Sequence, residues 1–246
     1  MSKFFKDILL EESAVYTLWG SKPLTIIPLY HYSEEEEKMY REHLSEEERK
    51  SLFEIEDYDI PEKWEKWEKI QSRFPIHRYL FFKKPDPNHP KVYSIYFVDI
   101  FRTALVLQEN YSCFSRETGV NFDPLQAVFE IKEGSEFWDK VMNHSALMGL
   151  LYGFGMQNSY GFRWRYGSDP LKSEKFAKSL NYRFSDTPKF GLATLENFSL
   201  PIFASFAENH DEVIQKYKKE REEIKQAYLD KDFLDLTLER LSENTH

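Results

Sequence analysis

RYLFFKK (Arg78–Lys84) and KVYSIYFV (Lys91–Val98) are the two stretches that decide the fold class. Both are rich in aromatic and β-branched residues, which favour β-strands. The residues between them, PDPNHP (Pro85–Pro90), include three prolines and fit neither a helix nor a strand. The sequence therefore predicts an antiparallel β-hairpin in the middle of the chain.

A second hairpin is predicted near the N-terminus. Its strands are Ala14–Trp19 and Leu24–Tyr30, which are again aromatic and β-branched. The turn Gly20–Pro23 fits between them, because glycine tolerates a positive φ and proline fixes the start of the second strand. Pro28 lacks the amide hydrogen that a central strand needs, so the second strand is predicted at a sheet edge.

Three helices are predicted between the hairpins. Ser33 and Ser45 each stand three residues before a glutamate, which is the spacing of a capping box. Pro61 is a suitable first residue for a third helix, which carries Trp64 and Trp67 on one face. We interpret the two tryptophans as a stripe that faces the core, with a partner-binding face as the alternative.

Capping residues and apolar spacing predict several helices after the central hairpin. They are expected at Asp99–Asn110, after Asp123, after Ser135, after Asp169, after Ser199 and from Asp211 to Leu241, with a break at Asp230–Asp232. Together with the hairpins they predict an α+β fold. We expect a mainly helical single domain over residues 1–246, with a small antiparallel sheet built from the N-terminal and central hairpins. The charged helices of residues 208–246 are expected to pack on this domain or extend from it.

Composition narrows the class of protein. The 246 residues include 21 Phe, 15 Tyr and 5 Trp, too many apolar rings for a disordered chain. The net charge of −9 argues against nonspecific binding to nucleic acid. No apolar run is long enough for a membrane span. The single cysteine, Cys113, forms no intrachain disulfide, which favours a cytoplasmic location, with secretion of a trimmed or leaderless form as the alternative.

Charge is unevenly distributed along the chain. Ser33–Lys69 contains 15 acidic and 7 basic residues, whereas Met156–Arg183 contains 6 basic and 2 acidic residues. The first region predicts an acidic helical surface and the second a local basic one. No two histidines have the spacing of metal ligands, so neither a metal site nor a cofactor is predicted.

Residues 149–167 hold five of the nine glycines, interleaved with six aromatic residues. In a packing interpretation, Gly149 and Gly153 lie on one helical face and allow another element to approach closely. Gly155, Asn158 and Ser159 would then end that helix, because glycine and asparagine tolerate the left-handed conformation. The segment has no phosphate-loop or dinucleotide-binding motif.

A ligand site is the alternative interpretation of the same segment. Exposed backbone amides beside Arg163 and Arg165 suit an anionic ligand such as a phosphate or a carboxylate. An extended conformation would place both arginines on one face and the aromatic residues on the other. The candidate ligand-binding residues are Gly153, Gly155, Asn158, Ser159, Arg163, Trp164 and Arg165.

No catalytic residue is assigned. Cys113, His144 and Asn158 could be arranged as a nucleophile, a base and an orienting residue, but their spacing matches no known motif and a structural role is favoured. Asp99 follows an apolar strand and lies near Arg102, a position typical of active-site carboxylates. Helix capping is the favoured interpretation of Asp99.

Two main hypotheses on function follow, beside a third in which a C-terminal helix self-associates. The first is a soluble binding or interaction protein that uses the acidic helical surface and the glycine, aromatic and arginine segment as contact regions. The second is an enzyme or small-ligand-binding protein that holds an anionic ligand near residues 153–165. The expected partner is accordingly an unknown protein or an anionic small molecule.

Overall fold

A computed structural model describes residues 1–30, 60–85, 92–166, 181–182, 193–205 and 211–243. Several predicted features lie outside these residues. They are the helices after Ser33 and Ser45, most of the acidic region (residues 33–59), the loop Asp86–Pro90 and the helix after Asp169.

The described chain is mainly helical, with short strands at five places. Its helices are α1 (Ser2–Lys6), α2 (Val15–Leu18), α3 (Ile60–Glu68), α4 (Ile100–Glu109), α5 (Tyr111–Thr118), α6 (Pro124–Glu133), α7 (Glu136–Met142), α8 (Ser145–Leu151), α9 (Gly155–Tyr166), α10 (Glu212–Tyr228) and α11 (Phe233–Ser242). A π-helical turn (Asp7–Glu11) follows α1, and a 3₁₀ turn (Gln71–Arg73) follows α3. The strands are β1 (Leu24–Tyr30), β2 (Tyr79–Pro85), β3 (Val92–Asp99), β4 (Asn181–Tyr182) and β5 (Ala204–Ser205). No described helix is both long and apolar enough to cross a membrane.

Three of the strands form an antiparallel sheet in the order β1-β3-β2. The central hairpin is confirmed, since β2 pairs with β3 in a register that places Phe81 opposite Phe97. The edge position is also confirmed. Pro28 is exposed and lies in β1, which pairs with β3 and, among the described strands, with no other.

The N-terminal hairpin is wrong in its first strand. Val15–Leu18 is helical, and β1 pairs with β3 instead of with the residues before it. Composition misled the prediction, because a short apolar run fits a buried helix as well as a strand. All four residues are buried, so their sequence shows neither the alternation of a half-buried strand nor the polar face of an exposed helix.

The sheet separates two hydrophobic cores. Side chains at odd positions of its strands, such as Ile27, Ile95 and Phe97, pack with α1, α2, α3, α10 and α11. Side chains at even positions, such as Tyr96 and Val98, pack with α4 to α8. Because strand side chains alternate between faces, one small sheet supports helices on both sides. The α+β, mainly helical fold class is confirmed.

Capping explains where most helices begin. The side chains of Asp99, Asp123 and Ser135 each accept a hydrogen bond from the backbone amide three residues later, as predicted for α4, α6 and α7. The break near Asp230–Asp232 separates α10 from α11, as predicted. The helix expected after Ser199 is absent. Residues 199–203 have no regular secondary structure and lead into β5.

The tryptophan stripe of α3 faces the core. Trp64 and Trp67 are 1% and 0% exposed and contact Phe81 on the sheet. The core-facing interpretation is therefore confirmed.

Candidate functional site

A pocket of about 550 Å³ opens between α8, α9 and the segment that leads into β5. Its lining residues are Met142, Asn143, Ser145, Met148, Gly149, Tyr152, Phe154, Asn158, Ser159, Phe162, Ile202, Phe203 and Ala204. Apolar and aromatic side chains predominate, and the polar groups are two amides, two serine hydroxyls and one phenol. Such a lining, with few polar groups in a concave surface, is typical of sites for small molecules.

Close packing of α8 on α9 forms the floor of the pocket. A Cβ atom added at Gly149 would lie 2.5 Å from Ser159 Oγ and 2.8 Å from Ser159 Cβ, so only glycine allows this approach. Ser159 is itself 2% exposed and donates a hydrogen bond from its hydroxyl to Gly155 O at 2.6 Å. The close approach predicted for Gly149 is therefore confirmed.

One buried carboxylate joins two walls of the pocket. Asp211 caps α10, and its Oδ1 accepts hydrogen bonds from the amides of Val213 and Ile214 at 2.8 and 3.4 Å. Its Oδ2 accepts from Asn158 Nδ2 at 3.0 Å and from Ser205 Oγ at 2.6 Å. Asn158 belongs to α9 and Ser205 to β5, so Asp211 fixes both elements relative to the start of α10.

A buried lysine lies behind the pocket. Lys22 Nζ is 5.8 Å from the centre of the Tyr152 ring, and that ring lines the pocket. Burial lowers the pKa of Lys22 to about 8, although the charge of Glu12 acts in the opposite direction. A fraction of the Lys22 amine is therefore uncharged near neutral pH.

The structure gives the two candidate glycines a role in the turn between α8 and α9. Gly153 and Gly155 have φ angles of 78° and 75°. The hydroxyl of Tyr217 donates to the carbonyl oxygens of Tyr152 and Gly153 at 3.2 Å. A Cβ at Gly153 would lie 2.5 Å from that hydroxyl. The predicted helix through Gly153 is thus wrong, because α8 ends at Leu151 and Gly155 begins α9.

The candidate residues of α9 divide between two surroundings. Asn158 and Ser159 line the pocket. Arg163 does not line it; its charge acts on His144. The Trp164 ring lies 6.0 Å from the Tyr160 ring, and the side chain of Arg165 is outside the described part of the structure. The extended arrangement of this segment is wrong, since the whole stretch is helical.

Comparison with known protein families, with curated proteins and with solved structures found no match to this chain. Among the described residues, no group of three or more His, Cys, Asp or Glu is placed to hold a metal ion.

A second polar cluster lies where α5, α8 and α9 meet. Cys113 Sγ lies 3.0 Å from Tyr160 Oη, and His144 Nε2 lies 3.2 Å from Glu117 Oε2. Asn158 is bonded to Asp211 instead, so the structure does not assemble Cys113, His144 and Asn158 as a hydrogen-bonded triad.

His144 is the N-cap of α8. Its Nδ1 accepts a hydrogen bond from the amide of Leu147 at 3.2 Å, which leaves Nε2 to donate to Glu117. This arrangement requires a neutral ring. Burial and then the charge of Arg163 lower the pKa of His144, while Glu117 opposes them.

The capping role of His144 predicts a pH-dependent stability. In the folded state His144 binds a proton less tightly than in the unfolded state, where the pKa of this side chain is about 6.5. The stabilisation is therefore complete above about pH 6.5 and is lost as the pH falls through the lowered folded-state pKa. His144→Asn keeps a capping acceptor that does not titrate, so its free energy of unfolding should fall less than that of the wild type between about pH 7 and about pH 5. Urea unfolding across this range measures the difference.

The control for this experiment is His77→Asn, because His77 is exposed. We expect its pH dependence to match that of the wild type. An identical pH dependence for His144→Asn and the wild type would show that the His144 contacts do not act as described.

Sequence reasoning missed most of the pocket walls. Asn158 and Ser159 were identified, but Met142, Asn143, Ser145 and Ile202–Ala204 were not. The available signal was Gly149, whose close approach brings a second helix against α8. Nothing local in the sequence indicated that residues 202–204 would cover the same helix pair.

Proposed function

We propose that the protein binds a small, largely apolar molecule in the pocket between α8, α9 and residues 202–204. The observation that carries this proposal is the volume of about 550 Å³ with its mainly apolar lining. Ligand pockets in proteins span roughly 300–1,000 Å³ and combine apolar walls with a few polar groups. The site overlaps the region from residue 153 to 165 in which the sequence suggested a ligand.

The lining favours binding over acid–base catalysis. Among the described lining residues there is no carboxylate, histidine, cysteine, lysine or arginine. General acid–base catalysis needs a side chain that exchanges protons near neutral pH. Tyr152 does not provide one, because burial raises the pKa of its phenol further above neutrality. The lining thus supports a role as a binding protein better than a role as an acid–base catalyst.

Blocking the pocket tests the proposal. Ser145 is exposed, lines the pocket and is the first residue of α8, so Ser145→Phe places a ring at the opening without filling the buried core. The neutral dye N-phenyl-1-naphthylamine fluoresces when it enters an apolar site. We expect saturable binding to the wild type, and a dissociation constant raised about tenfold or more in Ser145→Phe, because that variant loses apolar contact area.

Ser112→Phe is the matched control. Ser112 is also an exposed serine in the first turn of a helix, α5, and it does not line the pocket. Its dye affinity should equal that of the wild type. Absence of saturable binding to the wild type, or equal binding to both phenylalanine variants, would refute a ligand site at this place.

A protein partner is the second candidate function. The observation in its favour is a group of exposed apolar side chains on α4 and α6, two helices that pack together. The group consists of Phe101, Leu105, Leu125 and Phe129. Each pair is spaced by four residues and therefore shares one face of its helix. We propose this face as a contact surface for a protein partner, in addition to the acidic region and the arginine segment. A cytoplasmic location is part of both proposals.

A further inference from the structure

We propose that the ligand of this pocket carries a hydrogen-bond donor, either a hydroxyl or an ammonium group, that binds the side-chain oxygens of Asn158 and Ser159. The inference rests on the proposed function and narrows the chemical class of the ligand. It follows from which hydrogen-bonding groups of the two side chains are already occupied.

Asn158 has no donor left for a ligand. One amide hydrogen of Nδ2 is directed to Phe154 O at 3.1 Å and the other to Asp211 Oδ2 at 3.0 Å. Both partners accept only, so the amide cannot be turned over without placing its oxygen against two acceptors. The remaining hydrogen-bonding group of this side chain is the acceptor Oδ1.

Ser159 likewise has no donor left for a ligand. Its hydroxyl has a single hydrogen, which is directed to Gly155 O at 2.6 Å. The lone pairs of its oxygen are what the side chain offers to another molecule. Two adjacent residues of α9, both 95% or more buried and both lining the pocket, therefore have acceptors but no donor left for a ligand.

The charge nearest to Asn158 agrees with a donor, whereas the buried Lys22 lies behind Tyr152 at another part of the lining. Asp211 contacts Asn158 directly, which places a carboxylate behind the floor of the pocket. Arg163 is not among the residues that line the pocket, and its charge acts on His144. A carboxylate or phosphate ligand would meet acceptors here, whereas a hydroxyl or ammonium hydrogen would be bonded. The apolar remainder of the molecule would contact rings such as those of Phe162 and Phe203.

A series of four naphthalene compounds tests the inference on the wild-type protein. They are 2-naphthylmethanol, 2-(aminomethyl)naphthalene, 2-(methoxymethyl)naphthalene and 2-naphthoate. The apolar body is the same in all four. The first two carry a neutral and a cationic donor, the methyl ether keeps the oxygen without its hydrogen, and naphthoate is an anion. Titration calorimetry gives the dissociation constant of each.

We expect the alcohol or the amine to bind about tenfold more tightly than both the ether and naphthoate, since one hydrogen bond contributes about that factor. Which of the two donors binds more tightly distinguishes a hydroxyl from an ammonium ligand. The preference for a donor should shrink in Ser159→Ala, where one acceptor is removed. It should persist in Ser115→Ala, a serine of α5 whose hydroxyl bonds Asn121 away from the pocket.

Each other outcome contradicts the inference. Equal affinities across the series, or tightest binding of naphthoate, would overturn it while leaving a small-molecule site in place. A donor preference that is unchanged in Ser159→Ala would refute the proposed contact. Failure of all four compounds and of the naphthylamine dye to bind would remove the proposed function together with the inference.

Discussion

Asp99→Ala is expected to lower the free energy of unfolding by about 3–5 kcal/mol, because it leaves two arginines without their shared partner. Asp99 is fully buried. Its Oδ2 lies 2.7 Å from Arg78 and 3.2 Å from Arg102, and its Oδ1 accepts the backbone amide of Arg102 at 3.0 Å. The alanine variant also loses this helix cap. Thermal unfolding should show a midpoint lowered on the order of 10 °C.

Asp123→Ala separates the loss of the ion pairs from the loss of a cap. Asp123 caps α6 through one bond to the amide of Gln126 and is exposed. Its replacement should cost about 1 kcal/mol, the usual contribution of a helix cap. Equal effects of the two substitutions would mean that Asp99 stabilises the fold through its helix cap alone and that its ion pairs with the two arginines contribute nothing.

Local signals explain which elements could be predicted. The caps at Asp99 and Asp123 and the strands of the central hairpin depend on residues close together in the sequence, and each is found. The strand expected before Gly20 failed for the opposite reason. Its residues are enclosed by other parts of the chain, and an apolar run that is buried on all sides has no pattern that separates helix from strand.

The site shows the same limit at longer range. Asn158 and Ser159 were identified because polar residues stood among glycines and aromatic rings. The pocket also needs residues 202–204, which precede Ser205, and Asp211 accepts hydrogen bonds from both Ser205 and Asn158 of α9. A contact between distant segments leaves no periodic trace in a single sequence. The chemistry expected there, an anionic ligand held by arginines, assumed an extended strand, whereas this segment is helical and Arg163 is not among the residues that line the pocket.

Asp211→Ala is expected to reduce both stability and ligand binding. The substitution removes the cap of α10 and leaves the Asn158 amide and the Ser205 hydroxyl without their shared acceptor. A lost cap costs about 1 kcal/mol, and the buried Asn158 donor left without its acceptor costs about 1–3 kcal/mol, so a total of about 2–4 kcal/mol is expected. The dye should also bind more weakly, because α9 and β5 lose the group that fixes them together. Urea unfolding and dye titration measure the two effects.

Asp232→Ala is the matched control, because Asp232 caps α11 as Asp211 caps α10. Its Oδ1 accepts the amides of Leu234 and Asp235, each at 2.9 Å, and the residue is exposed. The two aspartates therefore share the capping contacts and differ in the bonds to Asn158 and Ser205. We expect Asp232→Ala to cost about 1 kcal/mol and to leave dye affinity unchanged. If Asp211→Ala unfolds as easily as expected but binds the dye like the wild type under folding conditions, Asp211 stabilises the fold without shaping the pocket.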